Sequence, residues 1–150
     1  MHGLINISEA TSIALHSCAW IAASESEFSS VKTISEGLGF SPHHTAKVAQ
    51  QLVRAGIFLS ERGPAGGMKL AKSIASISIM DLCEATGSFP ADNGCLLKSS
   101  VCNGSGCMFG KVLCDENRRL LKIFTNTTLD DIVKSIEKSK LFDDIKGNAE

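Results

Sequence analysis

Three cysteines, Cys95, Cys102 and Cys107, fall in one glycine-bearing stretch, 93–107. Thiolates so grouped can wrap a soft metal centre. Gly94, Gly104 and Gly106 let the backbone turn tightly around it. The other cysteines read differently. Cys18 lies at helical spacing with Ala14, Ile21 and Ala22, and Cys83 lies on a short helix, so both are expected in the core. Cys114 is seven residues past Cys107, roughly 10 Å along a helix, too far for one compact centre.

The elements that must position this stretch follow from caps and periodicity. Ser8 is an N-cap for a helix reaching Ala23, with Glu9 at its positive end. Polar residues 24–30 form a loop. A short helix fits Ser30 to Glu36, with Val31 and Ile34 inward, and Gly37 to Phe40 form a turn. Ser41 and Pro42 open the next helix as N-cap and first helical residue. It runs to Ala55 and stops at Gly56, with Thr45, Val48 and Leu52 inward. Two helices joined by a tight turn make a helix-turn-helix pattern. Ile57–Arg62 and Met68–Leu70 then read as strands around the turn Gly63–Gly67, a β-hairpin directly behind the second helix. Arg62 and Lys69 flank its tip. The predicted fold is therefore mostly α with a small β-hairpin wing, a winged helix-turn-helix.

Ser78 and Asp81 form a capping box for a helix ending at Gly87. A long helix runs from Cys107 or Met108 to about Phe124, with Phe109, Val112, Leu113, Leu120 and Phe124 in one apolar stripe. Thr128 caps a last helix carrying Leu129, Ile132, Val133 and Ile136, and the tail from Lys138 is charged. A long amphipathic helix after a compact winged unit has little of its own chain to pack on. A second copy solves this, so a homodimer with two recognition helices on a palindromic operator is expected. The organisation is 1–88 winged helix-turn-helix, 89–107 cysteine-rich loop, and 108–150 dimerisation and C-terminal helices, within one compact unit.

Composition agrees with a globular regulator. The chain has 150 residues, 43% hydrophobic and 21% charged, with a net charge of −1. No apolar run approaches the roughly 20 residues of a membrane span. The start, Met1 to Asn6, lacks a basic leader pattern, which favours the cytoplasm. Cysteines in that compartment point to metal or redox work. Within 37–72, Lys47, Arg54, Arg62, Lys69 and Lys72 face one acid, Glu61, a local excess of four positive charges suited to phosphate. Catalytic triads, phosphate loops and carboxylate pairs do not occur, so no enzyme is expected.

The wing sequence Arg62-Gly63-Pro64-Ala65-Gly66-Gly67 resembles the R-G-P-x-G-G wing of the Rrf-type winged-helix regulators. That family includes iron–sulfur cluster regulators, nitric-oxide-sensitive repressors, iron-responsive regulators and a cluster-free cysteine-metabolism repressor. The resemblance runs from about Ile5 to Ile136. The cysteine loop and Thr127-Thr-Leu-Asp-Asp-Ile-Val133 follow in family order. It implies iron ligation by Cys95, Cys102 and Cys107. The spacing here is six then four residues where five and five is common, with the same outer separation. Some two-iron members use a histidine three residues past the last cysteine; here that residue is Gly110. Glu9, Ser12 or His16 on one face of the first helix, Cys114, or an exogenous molecule are then the candidates for a fourth ligand. The missing histidine favours a four-iron over a two-iron cluster.

The resulting expectation is a sequence-specific regulator, in the sense of a repressor, that senses iron, redox or nitric oxide state. Ser41, His43, His44 and Lys47 would reach base edges in the major groove. Gln50 and Arg54 lie further along, Arg54 towards phosphate, and Arg62 suits a narrow minor groove. Adjacent helical residues diverge by about 100°, so His43 and His44 are read as DNA-facing, not as a chelating pair. Two alternatives remain: a regulator of the same fold using thiol–disulfide or zinc chemistry, and an iron–sulfur scaffold or electron carrier that binds protein partners.

Overall fold

The computed structural model describes residues 7–24, 26–88 and 107–137. Among the described residues six helices and one hairpin follow in the order α1 (Glu9–Ala23), α2 (Val31–Leu38), α3 (Pro42–Arg54), β1 (Phe58–Glu61), β2 (Gly67–Leu70), α4 (Ile79–Thr86), α5 (Met108–Asn126) and α6 (Leu129–Glu137). A short 3₁₀ turn, Ile74–Ser76, precedes α4.

The helix starts lie where the cap residues put them. Ser8 accepts the Thr11 amide at 3.1 Å and Ser30 accepts the Thr33 amide at 3.0 Å. Each bond satisfies one of the amides that a helix start leaves without an internal partner. Helix α1 is the axis of the molecule and packs against α2, α3, α4, α6 and β2. Ile13, Ala14, Cys18, Ala19, Trp20 and Ile21 are all buried on it. Its apolar surface therefore extends beyond the stripe predicted from spacing, because neighbours surround it. Burial pushes the Cys18 thiol up to about 12 and raises Cys83 as well. Both behave as core groups, as their spacing predicts.

One predicted boundary moves. Gly37 and Leu38 continue α2, and the turn begins at Gly39, which takes a left-handed φ of 68°. Gly37 is there for space: a Cβ on it would overlap the Trp20 ring.

The hairpin pairs Phe58 with Leu70 through Glu61 with Gly67, antiparallel. Ser29 joins its far side, exchanging hydrogen bonds with Met68 at 3.0 and 2.8 Å. The last two short helices start from a matched pair of caps. Asp81 accepts the Ser78 amide at 2.7 Å, and Asp131 accepts the Thr128 amide at 2.9 Å. The two cap segments lie antiparallel, with the Ile79 amide on Thr127 O and the Leu129 amide on Ile77 O. This bridge returns the chain after α5 to the core, where Leu129 and Val133 are buried.

Candidate nucleic-acid interface

Helix α3 presents two faces. Thr45, Val48, Ala49 and Leu52 are buried. Thr45 also donates its hydroxyl to Ser41 O at 3.0 Å, which settles a polar side chain inside the core. Opposite them, at i, i+4, i+7 and i+11, stand His43, Lys47, Gln50 and Arg54, all exposed. A helix at 3.6 residues per turn places these four on one line, roughly 16 Å long. Ser41 is exposed at the N-cap and makes no side-chain cap bond, so its hydroxyl is open to an outside partner.

His44 departs from this line. It sits on the flank of α3, with Nδ1 3.7 Å from the Glu9 carboxylate on α1. Spacing alone put His44 beside His43, and only the tertiary neighbour shows that it faces α1. Gln50 gains its place in the line because it lies two turns beyond His43.

The hairpin tip holds Arg62, which is exposed. The tip is tight: Gly63 has φ 122°, and its carbonyl accepts the Gly66 amide at 3.0 Å. Lys69 was predicted as the second cation beside the tip. Its ammonium is instead 2.9 Å from Glu27 and stands 4.5 Å over the Phe28 ring. Lys69 thus ties the hairpin to the loop before α2. The local positive excess of the sequence is correspondingly smaller at the surface, and the exposed Lys47, Arg54, Arg62 and Lys72 carry it.

At the cysteine stretch, Cys95 and Cys102 lie outside the described residues. Cys107 is exposed as the N-cap of α5, and its Sγ accepts the Gly110 amide at 3.3 Å. Cys114 is half-buried, with Arg118 Nη2 at 3.7 Å from its sulfur. Among the described residues no three His, Cys, Asp or Glu side chains group as a metal site. Of the candidate fourth ligands on α1, Glu9 faces His44, and His16 Nδ1 is 2.8 Å from Ser12 O with its ring edge-on to Phe40.

A family model described as Rrf2: Iron-dependent Transcriptional regulator matches residues 7–135. The chain belongs to the Rrf2 family. It is 28% identical over 138 residues to a helix-turn-helix-type transcriptional regulator of Aquifex aeolicus, covering 90% of this chain and 95% of that one. It is 29% identical over 104 residues to the regulator IscR of Klebsiella pneumoniae, 69% of this chain and 64% of that one. Among solved structures it is similar in fold to CymR, the global cysteine regulator of B. subtilis, with TM-score 0.73, 19% identity, and coverage of 88% and 98%. The T. potens IscR structure is alike at TM-score 0.72, 19% identity, and coverage of 92% and 93%. An Rrf2 chain is a DNA-binding transcriptional regulator, not an enzyme. Among the described residues no helix is long and apolar enough to cross a membrane.

Proposed function

We propose that this Rrf2 chain is a dimeric repressor that reports iron, redox or nitric oxide state through an iron–sulfur cluster on Cys95, Cys102 and Cys107. The observation that carries this is the position of Cys107. It is exposed at the N-cap of the long helix, where the Gly110 amide N–H already points at its sulfur. A soft, electron-rich donor at a positive helix end fits a thiolate ligand of an iron centre. When bound, a cluster supplies reversible electron transfer and reactivity with oxygen or nitric oxide.

The residues divide the work. Residues 1–88 form the reader, 89–107 the cofactor loop, and 108–150 the dimer element in a cytoplasmic protein. Ser41, His43, Lys47 and Gln50 meet base edges of a palindromic operator. Arg54 meets phosphate, Arg62 enters the minor groove, and His44 approaches DNA from the α1 side. A second copy covers the exposed apolar face of α5. Gly110 offers no side chain, which favours a four-iron cluster whose fourth ligand comes from Glu9, Ser12, His16, Cys114 or a small molecule.

A second reading keeps the fold and the DNA but replaces the cluster by thiol–disulfide or zinc chemistry. The likeness in fold to CymR, a cysteine regulator, is what favours it.

Anaerobic purification with an absorption spectrum and iron and sulfide counts separates the two. A brown protein with about four irons per chain, lost in Cys107→Ser, supports the sensor. A protein still colourless after reconstitution with iron and sulfide overturns it and leaves the second reading.

A further inference from the structure

The start of α1, the end of α4 and the flank of α3 meet around one cleft of about 270 Å³. Glu9, His44, Lys47 and Gln51 stand at it, with Ile13 and Thr86 also lining it. Hydroxyl groups run between two of these helices. Thr86 and Thr11 are hydrogen-bonded at 2.9 Å, and both are buried. Thr11 is 3.0 Å from Ser8, and Ser8 is 2.5 Å from Ser88. Ser88 is the last described residue before the cysteine stretch. Directly beside this ladder, Glu9 reaches across to His44 on the recognition helix.

We infer that the first turn of α1 is a positioning joint: Ser8 and Thr11 clasp the exit of α4 at Thr86 and Ser88, and Glu9 carries that position to His44. The inference rests on the sensing reading, since it names the route by which that site would act on DNA. Buried hydroxyl pairs are directional and fix the helix ends they join. A displacement of residue 88, the last described residue before the cysteine stretch, is thereby a displacement of Ser8 and Thr11. Glu9 lies between those two in sequence. The recognition helix is then linked to the chain that enters the cysteine stretch, which is the physical content of a coupling between two sites.

The variant is Thr11→Val with Thr86→Val and Ser88→Ala, in the full chain. Ser8 is kept because it caps α1. Removing both partners of a buried bond at equal volume is close to neutral, so the fold should persist. Ser88→Ala alone is the second variant should the triple change not fold. The first readout is amide hydrogen exchange in α3, Thr45 to Gln51, in metal-free protein. Exchange about tenfold faster there, with unchanged global unfolding, is expected. The second readout is the ratio of operator affinities between loaded and metal-free protein, which should fall towards one by a factor of about five or more. Unchanged exchange in α3 overturns the joint. Faster exchange with the parent's ratio overturns it as well. If the parent's own ratio is one, the sensing reading fails instead, and exchange alone decides the joint.

Discussion

Gly37 lies under the indole ring of Trp20, with no room between them for a methyl group. Trp20 is the largest side chain on the central helix and is buried. Gly37 is helical, so alanine would suit its backbone, yet the ring cannot move within a packed core. Gly37→Ala should therefore destabilise the fold by about 1–3 kcal/mol, despite the better helix propensity. Urea unfolding followed by Trp20 fluorescence measures this. A variant as stable as the parent would show that the indole has space to shift.

The cap at Thr128 carries a pH signature. The Thr128 amide and then its hydroxyl hold the Asp131 carboxylate below its ordinary range, with Lys134 adding to the same direction. A group with a depressed folded value stabilises fully above the unfolded value, about 4. That stability is lost as pH falls through the depressed folded value. Asp131→Asn should lower Tm at neutral pH and flatten its decline below about pH 4. Thermal unfolding across that range is the check, and parallel acid limbs in the two proteins would remove Asp131 from the acid response.

What was legible in the sequence was local. Ser8, Ser30, Ser41, Ser78 and Thr128 all mark helix starts, because a cap needs only residues three or four positions away. The hairpin and its glycine tip follow for the same reason. Gly37 belongs to α2 instead of the turn, and the partners of Lys69 and His44 are not written in their neighbourhood; each contact is made to a distant residue: Trp20, Glu27 with Phe28, and Glu9. No spacing rule sees a contact across 17, 42 or 35 positions of sequence. The order of importance within α3 was half legible. Periodicity gives the buried side, but the flank occupied by α1 becomes visible only when helices are packed.

The line His43, Lys47, Gln50 and Arg54 predicts unequal effects on DNA. Gln50→Ala should relax the preference for one base pair at a cost of about 1–3 kcal/mol. Arg54→Ala should weaken binding to all sequences alike and reduce the salt slope by about one. Operator fragments selected from random DNA, titrated at several salt concentrations, measure both. A salt slope unchanged by Arg54→Ala would take that residue off the phosphate backbone.

Helix α5 predicts the assembly. It has 19 residues and none of them is buried in one copy of the chain. Met108, Phe109, Val112 and Ile123 are exposed by 78, 67, 55 and 44%. Phe109, Val112 and Ile123 share a face with Leu113, Leu120 and Phe124, while the Thr127–Thr128 bridge fixes the helix end to the reader. Such a stripe costs free energy in water along its whole length, at about 25 cal/mol per Å². Pairing with a second α5 would cover it and would set two α3 helices at a fixed separation. Phe109→Glu together with Val112→Glu should yield a monomer that keeps its helical circular dichroism. Palindromic operator binding should drop by at least about a hundredfold, since the two half-sites no longer act together. Sedimentation equilibrium gives the mass, and a doubly substituted chain that still sediments as a dimer would move the interface off α5.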